Sequence, residues 1–265
     1  MGPRAIKRSR SGAVLYALLP YVLVLGVLVV WELLVRLNGV QPIYLPAPSS
    51  IFRYLVAMLL DGSLLYNLSV TFMRIICGFL VASVTGILVG VAMGMSPLVA
   101  RLVDPWIAAL YPLPKISLIP LLIIWLGTGE SYKIVISAVT AFFPVVISTF
   151  AAIRQVDPGL IKAAKDLGAA RYQQQFKVVI PASLPGIFSG LHLGMGVTII
   201  MVVAAEMIGG SSDSGMGYVL VHSGQVMETE KVFAALIVLA VFGAAITNLQ
   251  RRLDRLIAPW AEREH

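Results

Sequence analysis

Six long apolar stretches divide this chain, and they constrain its fold more than any other feature. A bilayer core needs about 20 consecutive apolar residues in a helix. None of the stretches alternates apolar and polar residues as the strands of a membrane β-barrel do. The sequence therefore predicts an all-α integral membrane protein with six transmembrane helices. The predicted spans are residues 13–35, 68–95, 106–126, 134–153, 184–208 and 232–249.

The composition agrees with a chain that mostly faces lipid. Of its 265 residues, 58% are apolar and 12% are charged, whereas a soluble domain has about 25% charged residues. The lone Cys77 excludes a disulfide scaffold. The sequence contains neither a phosphate-binding loop of the Gly-x-x-x-x-Gly-Lys-Ser/Thr type nor a protease or hydrolase motif. We therefore expect this chain to hold no catalytic site, no metal site and no cofactor.

The basic residues are distributed unevenly between the spans. With the amino terminus in the cytoplasm, fourteen Lys and Arg residues fall in cytoplasmic segments and four in external ones, in agreement with the positive-inside rule. The net charge of +7 is thus mainly a topology signal, and no nucleic-acid partner is expected. The first stretch is too long for a cleaved signal peptide. We predict cytoplasmic tails at residues 1–12 and 250–265 around a transmembrane domain at residues 13–249.

Two external segments between the spans are long. Residues 36–67 contain a proline-rich strip, and the following residues predict a short capped helix on the membrane surface. Residues 209–231 begin with a glycine- and serine-rich run, which predicts a flexible external gate or turn rather than a packed unit.

The third long segment, residues 154–183, is cytoplasmic in this topology. Asp157 followed by Pro158 predicts a helix start, because an acceptor precedes a proline at the first helical position. Gly168 suits the end of that helix, and residues 169–177 predict a second short helix before the fifth span. Two short helices joined by a glycine are therefore expected to project from the membrane.

The same segment carries a spaced motif. It reads Lys162-Ala163-Ala164, three residues, Gly168, nine residues, and then Val178-Val179-Ile180-Pro181. This resembles the signature of ABC importer permeases, a Glu-Ala-Ala triplet, three residues, glycine, nine residues and Ile-x-Leu-Pro. Lys162 replaces the glutamate of the signature, so the contacts of that glutamate are not expected here.

Other segments resemble one branch of that family, the permeases of the aliphatic sulfonate, taurine and nitrate importers. The resemblance implies a permease subunit of the bacterial cytoplasmic (inner) membrane, most simply for a sulfonate or taurine-like anion. Nitrate, bicarbonate and vitamin precursors are other cargoes of this branch. The matching residues are Leu45 to Pro48, Arg74, Gly78, Phe79, Ile119 to Leu121, Trp125 to Gly127, Ala205 to Met207, and Gly215 to Tyr218.

The resemblance also implies partners. These are a second permease copy, two cytoplasmic ABC ATPase subunits that use ATP and Mg, and an external solute-binding protein, besides the surrounding lipid. The alternative is an autonomous secondary transporter, which would need an inverted repeat or several intramembrane charges. Coupling to the ATPase is assigned to Ala163, Ala164, Asp166, Leu167, Gly168 and Arg171.

Four residues are candidates for the translocation path or its gate. Glu206 serves either as a gate or as a structural partner, because a carboxylate in an apolar helix needs polar surroundings. Lys115 either draws an anion inward or snorkels toward the cytoplasm, and Arg74 is expected to snorkel outward. His192 is either a packing residue or a cargo or proton site. Trp125 is added from the resemblance.

Small residues recur every four positions in the second and fifth predicted spans. Such ridges let two helices approach closely, so helix packing is their expected role, and contact with a second copy is one way to use them. The residues are Gly78, Ala82, Gly86, Gly90 and Gly94, followed by Gly186, Gly190 and Gly194.

Overall fold

The computed structural model describes residues 10–37, 39–208 and 214–259, with side chains from residue 19 onward. The predicted tails and the start of the glycine-rich turn, residues 209–213, lie partly or wholly outside these ranges. Within them all regular structure is helical. The helices are α1 (Arg10–Leu37), α2 (Pro48–Leu60), α3 (Ser63–Met95), α4 (Pro97–Leu110), α5 (Ile119–Leu126), α6 (Glu130–Arg154), α7 (Pro158–Asp166), α8 (Arg171–Gln174), α9 (Ile180–Ile208), α10 (Met216–Gln225) and α11 (Thr229–Ile257).

The predicted all-α membrane architecture is confirmed. In the described part of the chain, five helical runs are long and apolar enough to cross a bilayer, and the number is six if the bent pair of α4 and α5 is counted as one span. The five runs are α1, α3, α6, the continuous run from α8 into α9, and α11.

The third predicted span, residues 106–126, is wrong as a continuous helix. Helices α4 and α5 meet at 88° across a short connection. Pro112 and Pro114 explain the break, because proline has no amide hydrogen and disfavours the helical conformation of the preceding residue. A single 3-10 turn, Lys115–Leu118, then leads into α5. The bend therefore places Lys115 at a corner inside the apolar span.

The prediction that a helix at residues 169–177 ends before the fifth span is also wrong. The helical path continues from Arg171 to Ile208, because a π turn at Gln175–Val179 joins α8 to α9. Pro181 closely follows this π turn, where the regular hydrogen bonding of an α-helix is already interrupted. Movement of α8 would therefore pass directly into a transmembrane helix.

Helix α6 lies between α3 and α9, and its interfaces with these two helices are the most extensive in the described structure. A methyl group built at Gly90 of α3 would lie 2.6 Å from Thr149 Cβ, and one at Gly190 of α9 would lie 2.5 Å from Ser148 Cβ. Both glycine ridges therefore pack against α6 within one chain, so they are not available for contact with a second copy. Gly78, Gly86, Gly94, Gly186 and Gly194 make similarly close approaches, and Ala82 is fully buried.

The segment at residues 209–231, which was predicted to be an external turn, is more ordered than predicted. Residues 216–225 form α10, which contradicts the prediction of an unpacked loop across residues 209–231. Its apolar residues form a buried face. The prediction missed this face because it rested on the glycine-rich start of the segment. That face is formed by Met216, Val219 and Leu220, and it packs with Met58, Leu64 and Ala235.

The short helix predicted after the proline-rich strip is α2, and its start is held by α1. The Ser49 amide and hydroxyl donate hydrogen bonds of 3.0 and 2.7 Å to the Glu32 carboxylate. A carboxylate from another helix therefore takes the capping role at this start. At the other end of α2, hydrogen bonds from the side chain and the amide of Ser63 lower the pKa of the Asp61 carboxyl, which begins the turn into α3.

Candidate functional site

A buried ion pair joins α3 to α9 at the end of the bundle opposite α7. The Arg74 Nη1 atom lies 2.6 Å from Glu206 Oε1, and the side chains are 2% and 0% exposed. The Thr71 hydroxyl, one helical turn before Arg74, donates to the same carboxylate at 2.9 Å. Charges this far from solvent are stable only when they are paired and hydrogen-bonded. Both conditions are met here.

Helix α6 adds a second acid and a second base. Glu130, the first residue of α6, accepts two hydrogen bonds from Arg74, at 2.5 Å from Nε and 2.6 Å from Nη2. This bidentate arrangement is the geometry in which guanidinium binds a carboxylate most strongly. The buried ammonium of Lys133 lies 3.7 Å from Glu130. Two acids thus balance two bases, and three helices meet in one charged network.

The chain immediately before and at the start of α10 is bound to this network. Each residue from 214 to 217 makes a hydrogen bond with a side chain of α3 or α9. The bonds are Arg74 to the Ser214 carbonyl (3.0 Å), the Gly215 amide to Asn67 (2.8 Å), the Met216 amide to Thr71 (2.9 Å) and the Gly217 amide to Glu206 (2.8 Å).

Two glycines allow this segment to approach so closely. Gly215 has a φ of +106°, a conformation that other residues rarely adopt. At Gly217 a methyl group would lie 2.4 Å from the Val203 carbonyl oxygen, closer than any carbon and oxygen can pack. The backbone of this segment therefore reaches the buried charges only because both positions lack side chains.

The expectation that Arg74 snorkels outward is wrong. Its guanidinium turns into the bundle, because carboxylates from α6 and α9 lie there, and its Nε, Nη1 and Nη2 atoms all donate to acceptors. For Glu206 the geometry shows a structural pairing, while a gate role stays a prediction. Sequence reasoning missed Asn67 and Thr71, although Asn67, Thr71 and Arg74 follow one another at spacings of four and three and so form a polar stripe on one face of α3.

The other predicted path residues lie in separate surroundings. The Lys115 ammonium contacts the Tyr111 carbonyl oxygen and lies 4.5 Å from the centre of the Phe143 ring, a cation–π distance. His192 Nε2 lies 2.9 Å from an Asp254 oxygen on α11, and Trp125 is 67% exposed. Within the described residues, no contact joins Lys115, Trp125 or His192 to Glu206.

Helix α7 begins and ends at the residues that the sequence indicated. The Asp157 side chain accepts a hydrogen bond of 2.8 Å from the Gly159 amide, with Pro158 in the first turn. Gly168 has a φ of +83°, and the space where its side chain would lie is open. The left-handed glycine turns the chain from α7 toward α8.

Most of the surface of α7 faces solvent. None of its residues is buried, and Leu167, which caps its end, is 89% exposed. Ile161 alone on this helix packs with the buried cluster of Ile153, Val156 and Val179 among the residues described. The predicted coupling residues share this exposed element: Ala163, Asp166, Leu167, Gly168 and Arg171 are exposed, and Ala164 is half-buried.

The chain is similar to known membrane transport proteins. A family model described as "Binding-protein-dependent transport system inner membrane component" matches residues 82–259. The aliphatic sulfonates transport permease protein SsuC of Bacillus subtilis is 35% identical over 96% of this chain and 90% of its own length. The taurine transport system permease protein TauC of Escherichia coli is 34% identical over 88% of this chain and 86% of its own length.

A solved structure shares the fold. It is the MetNI methionine ABC transporter in inward-facing conformations, with a TM-score of 0.58 and 24% sequence identity over 75% of this chain and 96% of the matched chain. The family match covers more than half of the sequence, and the identity to the two permeases extends over most of it. The chain therefore belongs to the binding-protein-dependent transport system inner membrane components, the non-catalytic membrane permease subunits of ABC importers.

Proposed function

We propose that this permease forms the path for a small organic sulfonate or taurine-like anion. An external binding protein delivers the cargo, two permease copies form the path, and two cytoplasmic ATPase subunits drive the movement with ATP and Mg. The names of the two relatives support this cargo class. The observation that carries the mechanism is α7, a capped helix that stands out from the bundle with no buried residue.

In this mechanism α7 is the coupling helix. With both termini and α7 in the cytoplasm, as the basic residues predict, the exposed Leu167 inserts into an apolar depression on the ATPase. The small residues Ala163 and Gly168 let the two backbones approach. Because α8 continues without interruption into α9, a displacement of α7 would tilt a complete transmembrane helix.

The charged network is the proposed gate at the other end of α9. It ties α3, α6 and α9 to the segment before α10 through hydrogen bonds of 2.5 to 3.0 Å. Tilting α9 would strain these bonds, and Glu130, whose side chain is 52% exposed, is the partner that water can replace at the lowest cost. The external side would then open when the Arg74–Glu130 pair breaks and close when the pair forms again.

The remaining candidates have more limited proposed roles. Lys115 lies at the break between α4 and α5, where its positive charge can attract an anion toward the path. Trp125 is exposed on α5 and is proposed to line the path or to contact the second copy. His192 of α9 lies 2.9 Å from Asp254 of α11, and this contact would restrain the movement of α9.

The coupling role is tested by Gly168→Leu. The substitution places a large side chain at a positive φ, which costs about 1–2 kcal/mol, and it obstructs the surface that meets the ATPase. We expect folding and membrane insertion to persist while cargo-stimulated ATP hydrolysis is abolished in proteoliposomes that contain all subunits. Gel filtration and hydrolysis measurements check the two halves of this expectation.

Gly62→Leu is the matched control. Gly62 has a φ of +77° and, like Gly168, open space where a side chain would lie, but it is located between α2 and α3, away from α7. It imposes the same backbone strain without touching the proposed ATPase surface, so hydrolysis should stay near the wild-type rate. Equal hydrolysis in both variants would contradict the coupling role.

The cargo class is tested by uptake of radiolabelled taurine, an alkanesulfonate, nitrate and bicarbonate into proteoliposomes with the matching binding proteins. We expect ATP-dependent accumulation of the first two. Accumulation of nitrate or bicarbonate alone would replace the sulfonate assignment, and uptake without ATP would favour a secondary transporter.

A further inference from the structure

The Arg74–Glu130 pair joins one buried side chain to one that solvent reaches. The Arg74 side chain is 2% exposed, whereas that of Glu130 is 52% exposed. Glu130 is the first residue of α6, and Gly129 before it has open space where a side chain would lie. The Glu130 carboxylate can therefore swing into solvent while the guanidinium stays inside the bundle.

The other bonds of Arg74 do not depend on Glu130. Its Nη1 atom donates to Glu206 at 2.6 Å and to the Ser214 carbonyl oxygen at 3.0 Å. If Glu130 swings out, these bonds keep the guanidinium in place, and the Nε and Nη2 atoms still point to the position that the carboxylate occupied. Two parallel N–H donors of a guanidinium are the geometry that binds a carboxylate or another oxyanion.

The position of the Glu130 carboxylate suits a negative charge better than water. Arg74 is buried, so its Nε and Nη2 donors lose strong charge-assisted bonds if water alone replaces the carboxylate. A monovalent oxyanion restores two such bonds and leaves the net charge of the surroundings unchanged. A neutral molecule changes that net charge by one unit in a poorly hydrated site, which is unfavourable.

We propose that the sulfonate group of the cargo exchanges with the Glu130 carboxylate on Arg74 as the external side opens. A sulfonate presents two oxygens on one face, as a carboxylate does, so it can accept hydrogen bonds from both Nε and Nη2. Glu130 is then an internal competitor that occupies the guanidinium until an anion arrives. This inference rests on the proposed function, because it identifies the group in the gate that recognises the cargo.

The test measures binding of methanesulfonate to the purified full-length permease, in nanodiscs of zwitterionic lipid, by ligand-observed NMR titration. Glutamine has the shape of glutamate without its charge and competes less well for the guanidinium. E130Q should therefore bind methanesulfonate at least about tenfold more tightly than the wild type. Dimethyl sulfone has the shape of methanesulfonate without its charge, and it should bind to neither protein.

E228Q is the matched control for the loss of one acidic charge. Glu228 lies 3.4 Å from Lys231, and its side chain is 42% exposed, just as Glu130 is half-exposed and lies 3.7 Å from Lys133. In the described structure no contact joins Glu228 to Arg74. E228Q should therefore keep the wild-type affinity for methanesulfonate.

The double variant E130Q/R74K tests the paired donors. Lysine keeps a positive charge beside Glu206 but cannot donate two parallel N–H bonds. If the double variant elutes as a single folded peak in gel filtration, it should lose the affinity gained by E130Q. If it does not fold, the comparison of E130Q with E228Q decides alone.

Three outcomes would overturn the proposal. The first is equal methanesulfonate affinity in the wild type and in E130Q. The second is an equal gain in E130Q and E228Q, which would reflect the general charge of the surface. The third is equal binding of dimethyl sulfone and methanesulfonate to E130Q.

The uptake assay separates this inference from the proposed function. ATP-dependent uptake of taurine without tighter binding in E130Q would leave the cargo class standing and contradict the exchange at Arg74. Tighter binding in E130Q without uptake of any sulfonate would support the exchange of an anion at Arg74 and contradict the cargo class.

Discussion

The charged network and α7 lie at opposite ends of α9, and they differ in where their side chains find partners. In the network, Arg74 and Glu206 are buried and bonded to groups of the same chain. At α7, Leu167 is almost fully exposed, although burial of a leucine side chain away from water is favourable. The first region is complete within one chain, whereas the second has the composition of a surface that another subunit covers.

This difference shows which process each region stabilises, the folding of the permease or its assembly with other subunits. Removing one member of the network leaves another charge buried without a partner, so the loss falls on the folding of the permease itself. If an ATPase subunit covers α7, as proposed, removing a side chain there leaves the permease intact and the loss falls on assembly. Variants at the two ends should therefore separate stability from coupling.

The largest expected effect belongs to Arg74→Met. Methionine keeps much of the side-chain length but removes the guanidinium, and Glu206 is then a buried carboxylate without its cation. Breaking a buried pair in this way costs about 3–5 kcal/mol. Unfolding in mixed micelles with increasing dodecyl sulfate should show a loss of this size in the free energy of unfolding.

Arg53→Met is the control for that experiment, because Arg53 is exposed on α2 and exposed substitutions change stability by less than about 0.5 kcal/mol. The double variant Arg74→Met/Glu206→Met should recover part of the loss, since it removes both charges. A loss in the double variant equal to the sum of the two single losses would show that Arg74 and Glu206 do not stabilise each other.

Glu206→Gln should have a smaller effect on stability and a larger one on transport. Glutamine keeps the shape and can still accept hydrogen bonds from Thr71 and from the Gly217 amide. Arg74 keeps its two hydrogen bonds to Glu130. The loss is that of a charged hydrogen bond, about 1–3 kcal/mol. Transport rates and assembly are measured in the same proteoliposomes, and lost assembly with normal transport per complex would return Glu206 to a purely structural role.

The bounds of α7 could be predicted from the sequence because its signals are local. Asp157, Pro158 and Gly168 fix the start and the end of α7 through bonds and backbone angles of nearby residues. The charged network could not be assembled in this way. Arg74 and Glu206 are separated by 132 residues, and the sequence gives no distance between them. Likewise, the apolar face of α10 is recognisable as a packing surface only when Met58 and Ala235 are known to lie opposite it.

The span assignments show the same division between local and long-range information. The break between α4 and α5 follows from Pro112 and Pro114, which act on their own neighbours, although its angle of 88° depends on packing. The continuity of α8 with α9 was missed because Pro181 looks like a stop signal. Here it follows the π turn at Gln175–Val179, which joins the two helices, and the helical run continues through it.

The smallest expected effect on stability belongs to Leu167→Ser, and this variant sharpens the comparison most. Leu167 is 89% exposed, so its replacement should change the free energy of unfolding of the isolated permease by less than about 0.5 kcal/mol. If an ATPase subunit covers it, the same change removes an apolar contact of about 1.5–3 kcal/mol, and the affinity for that subunit should fall at least tenfold. Leu60→Ser, at a leucine 82% exposed on α2, should change neither quantity. The affinity is measured by titrating the reconstituted permease with the ATPase subunit. An equal loss of affinity in the Leu167→Ser and Leu60→Ser variants would mean that α7 is an ordinary exposed helix.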